Sequence, residues 1–277
     1  MNKETVGVVL SAGGMRGIAI HTGALKAILE RYEIGAISGT SAGAIISGIY
    51  ASGVDIQKLE DMVSNLKVID YYDPDLFGLL KSCAFNFQGW TGFLKGKALE
   101  KTLQKALVAK TFEECKIPLY IVATSLRKAK TVFKKGAGVS LVDAMIASAS
   151  IPIIFKCRKI GDEQYVDGAI SSGVPIMELI ENEPHLQTII CINLEYLTLI
   201  TRDITNPYGI LIQCIDIASY EKHRVSEMFQ GLLEKRIIDI KPKIFDLKAT
   251  LIDPRKNTQI IKESYQKVKE ALPEYLP

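Results

Sequence analysis

The amino-acid sequence predicts an α/β fold in three layers, α/β/α, with helices on both faces of a mostly parallel central sheet. The first observation is the order of patterns near the N-terminus. It consists of a β-branched run at 6–10, a helical period over 18–32, an apolar run at 34–38 and a small-residue helix at Ala42–Ala51. Strand–helix–strand–helix order is typical of parallel sheets. The second is the composition, 48% hydrophobic and 23% charged, which is ordinary for a globular enzyme-sized domain.

The rest of the chain continues this pattern without a repeat, a low-complexity segment or a linker. The remaining predicted elements are helices at 55–66 and 96–109, strands at Leu119–Ser125 and 131–133, a helix from 141 to about 150, strands at 153–160 and 164–166, a strand at 188–193, a helix at 208–235, a strand at 237–240 and a helix at 257–272. Ser140 and Asp143 resemble a capping box, and Gly161-Asp162 is the turn of a predicted hairpin. We therefore expect one domain over residues 1–277, with a largely helical part at 208–277.

The segment 68–96 differs from its surroundings because aromatic residues gather there among Gly and Pro. They are Tyr71, Tyr72, Phe77, Phe85, Phe87, Trp90 and Phe93. One interpretation is a loop-rich excursion that packs over the edge of the sheet. The other is an apolar lid, or the entrance of a binding site, for an apolar substrate. The sequence leaves both open.

Charge and cysteine content restrict the class of protein. The chain has 34 Lys and Arg against 31 Asp and Glu, a net charge of +3, which gives no case for nucleic-acid binding and leaves a basic face for anionic lipid open. The five cysteines are scattered without a CxxC spacing, so the sequence predicts neither disulfides nor a zinc site. Reduced thiols and the absence of a signal-peptide pattern favour a cytoplasmic location.

An uncharged stretch at 36–54 is nearly long enough to span a bilayer. Eight of its nineteen residues are Gly or Ser, however, so a buried strand–turn–helix explains it better. We expect any membrane contact to be peripheral and transient.

Two glycine-rich motifs indicate nucleophilic catalysis. Gly39-Thr40-Ser41-Ala42-Gly43 follows the second strand and fits a nucleophile elbow, in which small neighbours allow a sharp strand-to-helix turn. Gly13-Gly14-Met15-Arg16-Gly17 follows the first strand and opens a helix, where backbone N–H groups can stabilise a developing oxyanion. Together they predict Ser41 as a nucleophile with electrostatic support.

The sequence offers several candidates for the residue that takes the proton of Ser41. The familiar order Ser…Asp…His permits Asp216 with His223, or Asp143 with His185. His223 lies in a charged stretch that predicts a solvated helix face, and His185 lies in a polar turn; His21 is equally isolated. Asp167, after a predicted strand and before Gly168-Ala169, is the stronger candidate, although an Asp-Gly pair alone is usually a simple turn.

The three motifs, in this order, resemble the signatures of the patatin-like phospholipase family. The run Ala147-Ser148-Ala149-Ser150-Ile151-Pro152 before Tyr165-Val166-Asp167-Gly168 resembles the family as well, and the similarity extends over residues 6–180. Ala12 and Ala169 stand where many members carry glycine, and both are small enough to leave room for the backbone.

This resemblance implies a Ser–Asp dyad that works without histidine. Ser41 would attack an ester carbonyl, Asp167 would be the general base, and the N–H groups of Gly13, Gly14 and Met15 would bind the oxyanion. The residues that would shape the motifs around them are Arg16, Gly17, Gly39, Gly43, Gly168 and Ala169. Arg16 matches a basic position of the family, where it would support the loop or contact a phosphate, and support of the loop is the role we expect.

The implied function is a lipid acyl hydrolase that cleaves esters of phospholipids, lysophospholipids or glycerides. No calcium-loop spacing is present, so we expect no metal and no cofactor. Three other functions stay open: acyl transfer on the same dyad, a catalytically silent lipid- or partner-binding module, and a dinucleotide-binding turn at residues 12–17. The last lacks the acidic residue expected after the second strand, where Ser38 and Gly39 stand. The sequence does not specify an oligomeric state.

Overall fold

A mixed eight-stranded sheet forms the centre of the protein. The computed structural model describes residues 3–83, 86–194, 204–205, 207–230, 234–244 and 254–273. The strands are β1 (Glu4–Leu10), β2 (Tyr32–Thr40), β3 (Gly92–Leu94), β4 (Leu119–Ser125), β5 (Ala129–Phe133), β6 (Ile153–Phe155), β7 (Arg158–Ile160), β8 (Glu163–Val166), β9 (Thr188–Ile192) and β10 (Arg236–Ile240). The main sheet has the order β10-β9-β1-β2-β4-β8-β7, with β5 also paired to β4.

Helices cover the sheet on both faces. They are α1 (Gly14–Arg31), α2 (Ala42–Ala51), α3 (Ile56–Ser64), α4 (Leu76–Cys83), α5 (Lys97–Ala106), α6 (Leu141–Ser148), α7 (Ala169–Ser172), α8 (Ile176–Asn182), α9 (Pro207–Gln230) and α10 (Asn257–Ala271). Residues 231–233 of the predicted helix at 208–235 lie outside the described residues, as does Phe85 of the aromatic segment. None of the helices within the described ranges has the length and apolar character that crossing a membrane requires.

The predicted fold class is confirmed, because β10, β9, β1, β2 and β4 are parallel and the antiparallel strands lie at one edge. Successive side chains of β1 point to opposite faces of the sheet. Val8 and Leu10 belong to the core on the face of α1, α2 and α6, and Val9 belongs to the core on the face of α8. A parallel sheet buried on both faces explains why its strands are continuous apolar runs.

The predicted strand at 153–160 is wrong in one respect. Only β7 forms the predicted hairpin with β8, whereas β6 pairs in parallel with β3. Gly92 allows this pairing, because a Cβ there would lie 2.3 Å from the carbonyl carbon of Phe155. The segment 68–96 is therefore fixed to the rest of the protein, and it contains a helix, α4, that its loop-rich composition does not predict.

Candidate active site

Ser41 occupies a strained turn between β2 and α2. Its backbone has φ 55° and ψ −117°, a conformation that costs a non-glycine residue free energy and persists only where the surroundings impose it. The flanking glycines are required by close contacts. A Cβ on Gly43 would lie 2.0 Å from the carbonyl oxygen of Leu10, and one on Gly39 would lie 2.4 Å from that of Gly43. The spacing of the motif is thus a steric requirement of this turn.

The hydroxyl of Ser41 donates a hydrogen bond to the carboxylate of Asp167. The distance from Oγ to Oδ2 is 2.7 Å, and both side chains are buried, with 4% and 3% of their surface exposed. The other carboxylate oxygen, Oδ1, accepts from the N–H of Ala169 at 2.8 Å. The backbone of Asp167 is fixed as well, because its N–H donates to Ser150 O and its carbonyl accepts from Thr124 Oγ1. One oxygen is therefore held by the backbone while the other faces the serine.

The sheet topology brings these two residues together although 126 positions separate them. Ser41 follows β2 and Asp167 follows β8, and β4 pairs with both strands. Because β8 runs antiparallel to β4, its C-terminal end meets the middle of the sheet beside the elbow. A Cβ on Gly168 would lie 2.2 Å from Val122 O, so the turn after Asp167 packs directly on β4.

Burial changes the acidity of this carboxyl. The pKa of Asp167 is raised to about 7, mainly because the charged form loses its hydration. The hydrogen bonds from Ala169 and Ser41 oppose the rise, and the negative charge of Asp216 on α9 adds to it. The Asp216 carboxyl is itself partly buried, which raises its pKa to about 6. A carboxylate with a pKa near neutral is a much better proton acceptor than an exposed one.

The glycine-rich turn lies at the same place. Gly13 precedes α1, and Gly14 and Met15 belong to its first turn, whose N–H groups have no acceptor within the helix. Gly14 and Met15 line the same cavity as Ser41. The turn packs against the elbow, since a Cβ on Gly17 would lie 3.0 Å from that of Ala42. Arg16 is half-buried in this first helical turn.

The three histidines have other partners. His21 is buried in α1 with Nε2 2.7 Å from Ser11 O, and burial lowers its pKa to about 4, so the ring is neutral. His185 lies in an exposed turn near the carboxylate of Glu183. The prediction of a solvated position for His223 is wrong. Its ring is buried, with Nε2 2.9 Å from Nδ2 of Asn193, and its pKa is lowered mainly by burial.

Asp143 and Asp216, the two aspartates that the order Ser…Asp…His permits, also lie in different surroundings. Ser140 is the N-cap of α6 and accepts from the N–H of Asp143, which is one half of the predicted capping box. The Asp143 carboxylate accepts from the Ser140 hydroxyl and is bound by Arg158 at 2.5 Å. Asp216 is close enough for its charge to affect Asp167. Among the described contacts, neither pairing of an aspartate with a histidine reaches the hydroxyl of Ser41.

Ser148 is a part of the site that the sequence motifs do not reveal. Its hydroxyl accepts a hydrogen bond from the N–H of Ser41 at 2.8 Å and donates one to Val122 O at 2.6 Å. Its carbonyl accepts from the N–H of Gly168. This one residue, at the end of α6, therefore ties the elbow, β4 and the turn after Asp167 together. The role of Ser148 can be recognised only in the folded structure, because nothing in the local sequence distinguishes Ser148 from Ser150.

We expect Ser148→Ala to slow ester cleavage by about 10- to 100-fold through kcat, because a small displacement of the nucleophile is costly. The buried N–H of Ser41 would lose its acceptor, which destabilises the fold by about 1–3 kcal/mol. Kinetics on a water-soluble ester and thermal unfolding measure the two effects. Ser150→Ala is the matched control, because the buried Ser150 Oγ donates only to Ile146 O within its own helical turn. Equal rate losses in both variants would contradict the positioning role.

An apolar cavity of about 70 Å³ opens at Ser41. Its lining includes Met15, Ile18, Ile45, Leu99, Ile151 and Phe155. Tyr71 and Leu94, from the segment 68–96, complete one wall. Five of these lining residues also border a second apolar cavity of about 60 Å³ that extends between α1, α2, α3 and α5. A second apolar cavity therefore lies directly beside the one at Ser41.

A group of potential metal ligands lies elsewhere. One ligand atom from each of His223, Glu227 and Asp239 lies within 4.8 Å of the others. The ammonium of Lys241 is 2.9 Å from Glu227 and 3.3 Å from Asp239, so a protein cation already offsets part of the negative charge of this group. Asn193 provides a further polar contact to His223.

Comparison with known proteins gives the following matches. A family model described as Patatin-like phospholipase matches residues 8–180. An uncharacterized NTE family protein of Mycobacterium bovis is 27% identical over 176 residues, covering 62% of this chain and 44% of that protein. A Lysophospholipase NTE1 of Debaryomyces hansenii is 24% identical over 195 residues, covering 65% of this chain and 11% of that protein. The chain thus spans less than half the length of these curated relatives.

The fold also resembles a solved structure. VipD from Legionella pneumophila superimposes with a TM-score of 0.50 at 16% sequence identity, over 98% of this chain and 67% of that chain. At this identity the likeness concerns the fold alone.

Proposed function

The chain belongs to the patatin-like phospholipase family, and on that premise we propose that it is a lipid acyl hydrolase with a Ser41–Asp167 dyad. The observation that carries the proposal is the 2.7 Å hydrogen bond between the Ser41 hydroxyl and the Asp167 carboxylate at the mouth of an apolar cavity. A hydroxyl becomes a useful nucleophile only when a base within hydrogen-bond reach takes its proton. No histidine is needed for that step if the carboxylate has a pKa near neutral.

The proposed reaction has two halves. Ser41 Oγ attacks the ester carbonyl carbon as its proton moves to Asp167 Oδ2, and the N–H groups of Gly13, Gly14 and Met15 stabilise the oxyanion. The tetrahedral intermediate breaks its bond to the alcohol oxygen, which takes the proton from Asp167. Water then attacks the acyl-enzyme, gives its proton to Asp167, and releases the fatty acid as Ser41 regains its hydrogen.

The cavities support a lipid as the substrate. An acyl chain is uncharged and flexible, and the two adjacent cavities, which share Ile45 and Leu99, present almost only apolar atoms. Burial of apolar surface is the main source of affinity in such a site. The name of one relative, a lysophospholipase, is consistent with the same substrate class.

We expect the protein to release free fatty acid from at least one of phosphatidylcholine, lysophosphatidylcholine and monoacylglycerol in mixed micelles. EDTA should not abolish the release, because the proposed mechanism uses no metal. Product analysis by mass spectrometry, with a lysolipid or an alcohol as acceptor, distinguishes hydrolysis from acyl transfer. Failure to cleave any of the three lipids, by a folded protein, would contradict the proposal.

The pH profile gives an independent check. Protonated Asp167 cannot accept the serine proton, so kcat/KM should rise as pH increases through about 7 and level off above it. Asp216→Asn should move this limb to lower pH, because removal of a nearby negative charge lowers the pKa of Asp167. A rate that is constant from pH 5 to pH 8, or an unchanged limb in Asp216→Asn, would contradict the assignment of Asp167 as the base.

A further inference from the structure

Exposed apolar side chains are concentrated in one segment of the protein. Of the fourteen large hydrophobic residues exposed in the described parts of the chain, eight lie between positions 68 and 93. The six that define what we call the docking face are Ile69, Leu76, Phe77, Leu80, Phe87 and Phe93. The exposed fractions of Ile69, Phe77 and Leu80 are 74%, 79% and 73%. Several of these residues are close in space, because Leu76 and Phe93 line one cavity and the ring of Trp90 lies between those of Phe87 and Phe93. A concentration of this kind marks an interaction surface, since isolated exposed residues are the normal case.

The exposed position of these side chains is built into the fold. Helix α4 turns Ser82 inward, where it is buried, and presents Leu76, Phe77 and Leu80 outward. Backbone hydrogen bonds fix the segment in two ways. The N–H of Asp75 donates to Phe93 O and joins the two parts of the segment, and β3 pairs with β6 and joins the segment to the rest of the protein. The carboxylate of Asp75 also contacts the ammonium of Lys156 at 2.5 Å. The apolar side chains therefore face outward on a fixed support.

Positive side chains outnumber negative ones around the docking face. Of the three aspartates in the segment, only Asp75 is paired with a cation in the described parts of the chain, and the other two keep their charge while they accept from backbone N–H groups. Asp70 accepts from the N–H of Lys67, Asp73 caps the first turn of α5, and Asp75 contacts Lys156. The lysines of the same region are exposed, namely Lys67, Lys81, Lys95 and Lys97. An apolar centre with a basic rim is complementary to a membrane surface that contains anionic lipid.

The docking face is also continuous with the candidate active site. A cavity of about 270 Å³ is lined by Leu76, Leu79 and Phe93 on the side of the docking face. Leu94 and Ile154 line this cavity and also the cavity at Ser41. The cavity beneath the docking face and the cavity at Ser41 therefore adjoin each other at Leu94 and Ile154.

We propose that the docking face inserts into the headgroup region of an anionic bilayer and places the cavity of Ser41 at the lipid surface. This inference rests on the proposed function, because it identifies the bilayer as the phase from which the substrate comes. A second copy of the chain is a poorer occupant. In a two-fold dimer each basic rim would face a copy of itself, which is unfavourable.

Vesicle binding tests the proposal with the full chain. We expect the protein to sediment with vesicles of phosphatidylcholine and phosphatidylglycerol, and less with phosphatidylcholine alone. The double variant Phe77→Ser/Leu80→Ser should reduce partitioning by about tenfold or more, because two large apolar side chains are lost. Val108→Ser/Leu126→Ser, in which both side chains are 59% exposed outside the docking face, is the matched control and should bind like the wild type.

Two further measurements separate the possible failures. Neither Phe77 nor Leu80 lines the cavity at Ser41, so the double variant should keep its activity on a water-soluble short-chain ester. Ser41→Ala should bind vesicles like the wild type, whether or not Ser41 is the nucleophile. Equal binding by the docking-face and control variants would overturn the proposal. The proposal would also be overturned if the wild type is a dimer, the double variant Phe77→Ser/Leu80→Ser is a monomer, and both bind vesicles equally.

Discussion

Replacement of Ser41 by alanine should reduce ester hydrolysis by more than about 1,000-fold, because loss of a nucleophile removes the covalent route altogether. The lining of the cavity offers little to replace it: within the part of the chain that the structure describes, Tyr71 is the only other residue with a hydroxyl that borders the cavity. The comparison is the rate of fatty-acid release by variant and wild type at saturating substrate.

The fold of this variant should survive. Alanine fits the space of serine, and the N–H of residue 41 keeps its acceptor on Ser148. Ser52→Ala is a suitable control, because Ser52 is also buried after α2 and its Oγ donates to Ile49 O. The control should keep wild-type turnover. Residual hydrolysis in Ser41→Ala at more than a few per cent of the wild-type rate would show that another group attacks the ester.

Replacement of Asp167 by asparagine should have two opposite effects. Activity should fall by more than about 1,000-fold, because an amide does not accept the serine proton. The free energy of unfolding at pH 8 should rise by about 2–4 kcal/mol, since the variant no longer buries a carboxylate with little hydration. Asparagine preserves the contacts: its oxygen can accept from Ala169 N–H, and its amide can donate to the Ser41 oxygen.

The sign of the stability effect follows from the direction of the pKa shift. The folded state holds the Asp167 proton up to about pH 7, whereas the unfolded chain releases it near the ordinary value of 3.8. Wild-type stability therefore falls as pH rises between these two values. Urea unfolding at pH 4 and pH 8 should give a difference between the proteins that is small at pH 4 and full at pH 8. Asp162→Asn, at an exposed turn, is the control and should change the free energy of unfolding by less than about 0.5 kcal/mol.

A less stable Asp167→Asn protein at pH 8 would contradict the account of the buried carboxylate. A gain of equal size at both pH values would contradict it too, because a packing effect does not depend on protonation. If Asp167→Asn is more stable than the wild type at pH 8 but fully active, burial of the Asp167 carboxylate is costly as described, and its role as the catalytic base is contradicted.

The elbow was predictable from sequence because its causes are local. Gly39 and Gly43 are needed within two residues of Ser41, so the steric requirement appears directly as a spacing. The strands β1, β2, β4 and β9 were predictable for a similar reason, since burial on both faces leaves continuous apolar runs.

Asp167 was predictable only jointly with the two glycine motifs. An Asp-Gly pair after a strand has many uses, and the contact with Ser41 depends on β4 lying between β2 and β8. The role of Ser148 depends on the same arrangement and has no local signal. The 2.8 Å contact with the Ser41 N–H arises from the end of α6, which is distant in sequence.

The error at His223 has a tertiary cause. Its neighbours Glu221, Lys222 and Arg224 are charged, so the local composition predicts an exposed position. The ring is instead buried against Asn193, which follows β9. Likewise, the outward-facing residues of α4 resemble core residues in sequence, and only the fold shows that they are exposed.

Covalent labelling by a fluorophosphonate, followed by intact-protein mass spectrometry and peptide mapping, directly tests whether Ser41 and Asp167 act as a dyad. We expect one adduct per chain, on Ser41, in the wild type and in His223→Ala. We expect no adduct in Ser41→Ala and strongly slowed labelling in Asp167→Asn. An adduct of equal yield in Ser41→Ala, or loss of labelling in a folded His223→Ala, would contradict a dyad of Ser41 and Asp167.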